Sequence, residues 1–461
     1  MPTIDYVDGA VQPILSVGQT TVIEGFGFGA APGTGGVTFA GPSGGTVAAA
    51  PDTAGWSDEA IRVVVPAGAA SGTLTVHTGS GGTLTASVYV VPQPAFDAAG
   101  FTWHARTGFP QAPVGVAVAA AEWPASGGGV SATLYAAGGA EPIGGDSAFL
   151  PDSGVYVAPV QSDFSLGAWV RQHDTTDAAT NHTLPLRLSF AAAVVATPYN
   201  SRLSGNELIV IGGMDSAGNA QSTVFAASVT PSAVTSAFVA IEPLPNPVAG
   251  AIAVARRGRI YVLGGVDSSG HPQSSVYVGR VGPDGHIDGW YTAPPLSSAR
   301  AYGGGVILDD RLLAFGGIAD SADDGGGLDA TPSRLVTSDT ATISLVSGFF
   351  LSTAWAPGAS LLPEGRSQFA VLPVGSEVLV VGGVCDGGVA CPSETLAAGR
   401  GPDSVGAFQP AGGNTIAGLG GGVVTGLSGA TWRAGDGSYH GVVVGGMDLT
   451  TRLRLAGVWG F

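Results

Sequence analysis

IYVLGG, residues 260–265, is one of six short runs of β-forming residues that end in a pair of glycines. The other five are LYAAGG at 134–139, LIVIGG at 208–213, LLAFGG at 312–317, VLVVGG at 378–383 and GVVVGG at 441–446. Successive pairs are 52 to 74 residues apart. Self-similarity at roughly 40–50 residues or somewhat more is typical of a β-propeller, in which each repeat forms one four-stranded blade. Because a single blade cannot bury both of its faces, blades of this kind must stack on one another.

Each repeat contains further strand-like segments around its glycine pair. A first strand such as GAIAVA at 250–255 precedes the pair, and a third strand such as SSVYVGRV at 274–281 follows it. An aromatic residue then opens a fourth strand. The last repeat stops at its third strand, LRLAGVWGF, and GFTWHAR at 100–106 can supply the missing fourth strand. We therefore expect an all-β chain with six blades, closed by an N-terminal strand that removes the exposed sheet edge.

This pattern resembles the Kelch repeat, whose hallmarks are a diglycine and a spaced aromatic pair; here the aromatic Trp290 is followed six positions on by the apolar Leu296. The resemblance covers about 360 residues and implies a Kelch-type propeller over residues 101–461. Arg187, Arg300 and Arg366 ahead of the first strands fit the family, whereas two other blades lack that arginine.

Residues 1–92 have a different pattern, and residues 93–100 form a short linker. Segments rich in β-branched residues, such as WSDEAIRVVVP at 56–66 and GTLTVHT at 72–78, are separated by turn signals every 8–12 positions. That spacing predicts an Ig-like β-sandwich. Together with the glycine-rich GFGFG at 25–29 it resembles the IPT/TIG family of Ig-like domains, which serve as spacers and interaction modules.

The net charge of the chain limits its expected partners, and its N-terminal sequence bears on its location. The net charge is −17 and all 17 basic residues are arginine, so electrostatics disfavour nucleic acid as a partner. The first residues have neither the basic nor the apolar region of a secretory signal, and no long apolar segment predicts membrane insertion. We expect either a cytosolic protein or one that leaves the cell by another route, such as assembly into a particle.

Acidic residues follow the glycine pairs at nearly constant spacing and are expected on one face of the propeller. They are Glu141, Asp215, Asp267, Asp320, Asp386 and Asp448. An Asp at a strand exit commonly accepts local backbone hydrogen bonds; the alternative is an anionic rim that attracts cations or a basic partner. Calcium at Asp320, Asp323, Asp324 and Asp329 is left open, although these residues match no EF-hand loop. No other cofactor is expected.

Two cysteines, Cys385 and Cys391, lie in one loop after the fifth glycine pair. Five intervening residues allow the sulfurs to meet, so a local disulfide and two free thiols both remain open.

Two features of the sequence are candidates for a catalytic site on this scaffold. Copper-radical oxidases resembling galactose oxidase are Kelch propellers with two Tyr and two His ligands, and Tyr439-His440 is the one adjacent Tyr–His pair here. The arginine group Arg256, Arg257 and Arg259 is the densest in the chain and is expected in a hairpin on a solvated rim. There is no G-x-S-x-G elbow. We therefore expect no enzyme, with a carbohydrate-active or copper enzyme as an alternative.

The combination of an adhesin-like domain pair, no recognised signal and no catalytic constellation favours a non-catalytic binding or structural protein. The preferred setting is a fibre, spike or decoration component on a phage or phage-like particle, where it attaches to a host surface. A bacterial cell-surface or secreted adhesion protein is the alternative. Expected partners are proteins of a larger assembly or a cell-surface glycan or protein, and a homo-oligomer is left open. This assignment rests on analogy between folds.

Overall fold

The computed structural model covers the 461-residue chain and describes most of it. The residues outside the description are 1, 11–12, 33, 35, 93–95, 126–129, 143–148, 173–180, 199–205, 320–333, 345–348, 386–390, 392–394, 402–403, 412–415, 417–423 and 449–454. Within the described part, strands dominate, and a 3-10 turn at Pro42–Gly44 is the one helical segment. No helix there has the length and apolar character needed to cross a bilayer.

Nine strands form the N-terminal unit. They are β1 (Thr3–Val7), β2 (Ile14–Ser16), β3 (Thr20–Phe26), β4 (Val37–Ala40), β5 (Thr46–Ala49), β6 (Pro51–Trp56), β7 (Ala60–Val64), β8 (Gly72–His77) and β9 (Thr83–Val91). One sheet has the order β1-β3-β7-β6 and the other has the order β2-β9-β8-β4-β5. Apolar side chains from both sheets, including Ile23, Ile61, Phe39 and Leu74, form one fully buried core. The unit is therefore a β-sandwich.

The remaining strands form the blades. Blade 1 contains β11 (Ala117–Pro124), β12 (Val130–Ala137), β15 (Val155–Pro159) and β16 (Val170–Arg171), with an added hairpin of β13 (Ala140–Pro142) and β14 (Phe149–Pro151). Blade 2 contains β17 (Ala192–Ala196), β18 (Asn206–Ile211), β19 (Val224–Thr230), β20 (Ala233–Val234) and β21 (Val239–Ala240). Blade 3 contains β22 (Ile252–Arg256), β23 (Arg259–Leu263), β24 (Val276–Val281) and β25 (Ile287–Thr292).

The second half repeats the same plan. Blade 4 contains β26 (Gly304–Ile307), β27 (Arg311–Phe315), β28 (Thr337–Thr342) and β29 (Ala356–Ser360). Blade 5 contains β31 (Ala370–Val374), β32 (Glu377–Val381), β34 (Thr395–Gly399) and β35 (Gln409–Pro410), beside the pair β30 (Arg366–Ser367) and β33 (Val384–Cys385). Blade 6 contains β37 (Ser428–Arg433), β38 (Tyr439–Val444), β40 (Val458–Gly460) and, from ahead of blade 1, β10 (His104–Ala105). The pair β36 (Val424–Thr425) and β39 (Met447–Asp448) lies beside it.

Hydrophobic cores lie between blades rather than inside them. One cluster joins blade 1 to blade 2 through residues such as Tyr135 and Leu208, and another joins blade 6 back to blade 1 through Trp432 and Leu134. The first strand of each blade contacts the first strand of the next, and β37 contacts β11. Stacking of this kind buries both faces of every sheet, as repeat architectures require.

The glycine pairs connect each blade to the next. In all six pairs the first glycine has a φ between +59° and +70° and the second has a φ between +88° and +100°. The N–H of each second glycine donates to a carbonyl of the following blade at 2.8–3.0 Å, from Gly139 to Leu188, Gly213 to Val248, Gly265 to Arg300, Gly317 to Arg366, Gly383 to Val424 and Gly446 to Pro113. A Cβ on Gly264 would lie 2.0 Å from the Arg300 carbonyl oxygen. Glycine is needed both for the left-handed backbone and for this close approach.

Candidate functional site

The sandwich contacts the propeller at the hairpin end, where the first and second strands of each blade are joined. Arg257, in the β22–β23 hairpin, forms an ion pair of 2.6 Å between its Nη2 and Oε1 of Glu24 on β3. Thr20 Oγ1 donates to Asp309 Oδ2 of blade 4 at 2.6 Å. Arg433 of blade 6 donates from Nη1 to Ser16 Oγ at 2.7 Å. The sandwich therefore contacts blades 3, 4 and 6 at the hairpin end of the propeller.

The arginine group of blade 3 does not lie on a solvated rim, so that prediction was wrong. The side chain of Arg257 is 7% exposed, and Arg259 is also buried. Arg256 donates from Nη1 to the carbonyl oxygens of Leu308 at 2.8 Å and Asp309 at 3.1 Å. The hairpin is covered because the sandwich lies on it, and the sequence of the hairpin alone carries no signal of that contact.

We expect Arg257→Ala to weaken the docking of the sandwich by about 2 kcal/mol, because the substitution leaves Glu24 buried without its cation. Burial raises the pKa of Glu24 above its ordinary value, and Arg257 opposes that shift. The variant should therefore raise the pKa of Glu24 further, which a carboxyl NMR titration measures. Hydrogen exchange in β3 should become faster. Arg280→Ala, which breaks an exposed pair with Asp288, should change neither quantity; equal effects from both variants would contradict the assignment.

A cavity of about 990 Å³ lies along the propeller axis. The first strands of all six blades line it, and Ser16, Gly18, Gln19, Thr20 and Val64 of the sandwich line its hairpin end. Small residues form much of the wall, among them Ala119, Ala193, Ala253, Gly305, Ala370 and Gly429. Charged residues also border it, namely Glu122, Arg256, Asp309, Arg400 and Arg433. A space of this size is comparable to small-molecule pockets.

A ring of six backbone positions narrows the other end of the channel. The ring consists of Gly115, Phe190, Gly250, Tyr302, Gln368 and Gly426, each with a φ between +51° and +68°. Neighbouring members of the ring are joined by hydrogen bonds of 2.8–3.1 Å from a backbone N–H to a backbone carbonyl oxygen. The donor and acceptor residues are Phe190 and Gly115, Gly250 and Phe190, Tyr302 and Gly250, Gln368 and Tyr302, and Gly115 and Gly426. We call this set the backbone girdle. Burial raises the pKa of Tyr302 to about 12.

Two of the predicted rim acids, Asp215 and Asp267, adopt the same local structure. Oδ1 of Asp267 accepts the backbone N–H groups of Ser269 at 2.8 Å and His271 at 3.0 Å, and Oδ2 accepts the amide of Gln273 at 3.1 Å. Asp215 makes the equivalent three bonds in blade 2. Both carboxylates therefore hold turns on the glycine-pair face, opposite the sandwich.

The other predicted acids are described only in part. Asp448 lies half-buried on β39. Glu141 belongs to β13, but its side chain is outside the described part of the chain. Asp320, Asp323, Asp324, Asp329 and Asp386 also lie outside the described residues.

We expect Asp267→Ala to lower the free energy of unfolding by about 1 kcal/mol, because three local hydrogen bonds lose their acceptor. Asp267→Asn keeps an oxygen acceptor at the same position and should cost less. Urea denaturation of the two variants checks this order. Equal losses for the two variants would show that the charge, not the acceptor, matters.

The two cysteines form a disulfide in the structure, with their Cα atoms 5.2 Å apart. Glu364 lies close to both sulfurs, so the three residues form a cluster of candidate metal ligands. Sulfurs joined in a disulfide cannot act as thiolate ligands. The carboxylate of Glu364 is itself paired with Arg366 at 2.6 Å.

Tyr439 and His440 do not converge on a common point. As neighbours on β38 they point to opposite sides of the strand, and Tyr439 borders the axial cavity. The ring nitrogens of His440 lie 3.0 Å from the Phe461 carbonyl oxygen and 3.0 Å from Ser438 Oγ. The imidazole also stacks on Phe164 and Trp432. Its contacts are those of a packed structural histidine.

Comparison with known proteins finds partial similarity to two proteins of Limulus polyphemus. A stretch of 140 residues, 30% of this chain, is 31% identical to beta-scruin, of which it covers 15%. A stretch of 91 residues, 20% of this chain, is 31% identical to alpha-scruin, of which it covers 10%. The matches thus span a small part of those relatives. No family model matches the chain. The similarity supports a Kelch-type repeat in the propeller.

Proposed function

We propose that this protein is a non-catalytic binding and structural module that presents the glycine-pair face of its propeller to a partner. One observation carries this proposal. The sandwich is bound to the hairpin end through Glu24, Thr20 and Ser16, so partner binding falls to the opposite end. There the turns at 215–221 and 267–273 are held by their own aspartates, as recognition loops on a rigid scaffold are.

The proposed setting is the exterior of a phage or phage-like particle, as a fibre, spike or decoration component that attaches to a host surface. In this proposal the sandwich is an IPT/TIG domain that anchors the chain, and the propeller faces outward. Its partners are proteins of the particle and a glycan or protein of the host surface. The strongly acidic net charge of −17 argues against nucleic acid as the ligand.

The absence of catalysis is part of the proposal. The Tyr–His pair is divided between the two sides of β38, and both ring nitrogens of His440 already have partners. These contacts argue against a copper site at that pair. A metal analysis of the purified protein, together with an oxidase assay, tests this part separately.

Density-gradient fractionation of lysate and culture supernatant, followed by mass spectrometry, tests the setting. We expect the chain to co-sediment with capsid, tail or other proteins of a multimeric particle. Recovery only as a free species of low mass would overturn the particle assignment. Recovery with cell envelopes would instead favour the adhesion alternative.

A further inference from the structure

One arginine at the axial cavity differs from the others in its surroundings. Arg400 follows β34 in blade 5, and its backbone N–H donates to the carbonyl oxygen of Ser376 at 2.6 Å. This bond holds Arg400 beside the hairpin of blade 5, at the same end of the propeller as the sandwich. Its side chain borders the cavity.

The guanidinium of Arg400 has no hydrogen-bond or ion-pair partner among the described residues. The two other arginines of the cavity already have hydrogen-bond partners. Arg256 donates to backbone carbonyl oxygens of blade 4, and Arg433 pairs with Glu122 and donates to Ser16. Burial lowers the pKa of Arg400 from its ordinary value. Tyr439 and Asp309 attract the guanidinium electrostatically and oppose that shift, but neither accepts a hydrogen bond from it, so an anion that enters the cavity would gain unused N–H donors.

The charge of the cavity wall is opposite to that of the chain. Three arginines and two carboxylates border the cavity, whereas the whole chain has a net charge of −17. The two carboxylates are already bonded, Glu122 to Arg433 and Asp309 to Thr20. The arginines of the wall therefore outnumber its carboxylates by one, and Asp8, which does not line the cavity, lies 3.9 Å from Arg256.

The rest of the wall combines small apolar residues with polar ones such as Gln19, Ser428 and Thr431. Alanine methyl groups and glycine backbone from successive blades line the channel between the girdle and the sandwich. Hydrogen bonds and ion pairs from the sandwich reach blades 3, 4 and 6, but within the described residues none reaches the blade-5 hairpin. Gly375 and Ser376 of that hairpin border the cavity on the same side as Arg400.

We propose that the axial cavity binds a small organic acid, with its carboxylate on Arg400 and its apolar body against the alanine and glycine wall. This site is at the opposite end of the propeller from the glycine-pair face, so the inference does not depend on the proposed function. Tyr439 of blade 6 also borders the cavity.

Calorimetric titration with octanoate, and with octanol as its uncharged counterpart, tests the proposal on the full chain. We expect octanoate to bind and octanol to bind at least tenfold more weakly. Arg400→Gln should weaken octanoate binding by about tenfold, the change expected from loss of one charge-assisted hydrogen bond. Because the Arg400 guanidinium makes no hydrogen bond to a described residue, the variant should keep the thermal midpoint of the parent protein. Arg187→Gln, an exposed arginine near the other face, should leave binding unchanged.

A second variant tests the apolar half of the site without altering its charge. Ala253→Phe places a ring in the channel and should also weaken octanoate binding by tenfold or more. Absence of octanoate binding to the parent protein would overturn the proposal. Equal affinities of the parent and Arg400→Gln would overturn it as well, because the cavity would then bind alkyl chains without regard to charge.

Discussion

Arg300→Ala is expected to lower the free energy of unfolding by about 3–5 kcal/mol, the range for breaking a buried ion pair from one side. The side chain of Arg300 is 0% exposed and that of Asp339 is 1% exposed, and they pair at 2.9 Å. Arg300 also donates to the carbonyl oxygen of Gly316, the first glycine of the fourth pair. Alanine would leave the Asp339 charge buried without a cation and would free that carbonyl.

The chain supplies a matched control at an equivalent sequence position. Arg187 precedes the first strand of blade 2 as Arg300 precedes that of blade 4, but its side chain is exposed. Arg187→Ala should therefore change stability by less than about 0.5 kcal/mol. Urea denaturation followed by tryptophan fluorescence measures both. Arg300→Met combined with Asp339→Leu should recover much of the loss, since removing both charges avoids an unpaired one. Equal, small losses for Arg300→Ala and Arg187→Ala would contradict the role of the ion pair.

Gly250→Ala is expected to destabilise the propeller by about 2–5 kcal/mol, from left-handed backbone strain and overpacking together. Gly250 has a φ of +60°, and a Cβ there would lie 2.2 Å from Cε1 of Tyr302. The backbone of Tyr302 is held by its N–H bond to the Gly250 carbonyl oxygen, and its ring packs edge-on against Phe190, so the ring has little room to move away. The substitution should therefore disturb contacts of blades 3 and 4 at the axis.

Gly218→Ala separates the two contributions. Gly218 also has a positive φ, +82°, but no atom lies within 4 Å of the position that a Cβ would occupy. This control should cost only about 1–2 kcal/mol of backbone strain. If Gly250→Ala is no more destabilising than Gly218→Ala, the girdle does not pack as described here.

The blades could be predicted from the sequence because their signals are local and repeated. A run such as VLVVGG at 378–383 combines a buried strand with a turn that only glycine tolerates, and the structure has that turn after each of the six strands. The fourth strand of blade 6, β10, was also predicted, from the unpaired GFTWHAR segment. Apolar alternation between turn signals was sufficient for the sandwich.

The docking of the sandwich could not be predicted, because it depends on contacts between distant parts of the chain. Arg257 and Glu24 are 233 residues apart, and neither belongs to a recognisable motif. The same applies to Arg400, whose cavity exists only when six blades and the sandwich meet. Arg187 and Arg300 look alike in the sequence, yet only Arg300 meets a buried carboxylate. Such differences arise from tertiary packing, which local sequence patterns do not specify.

Site-specific photo-crosslinking tests most directly the claim that the glycine-pair face binds the partner. A photoreactive amino acid at Ser216 would lie in an exposed turn of that face, and one at Asp284 would lie in an exposed turn at the sandwich end. In native material, we expect the first position to form covalent adducts with another polypeptide or a surface glycan and the second to form none. Adducts from Asp284 alone would contradict the account, because the partner would then bind beside the sandwich.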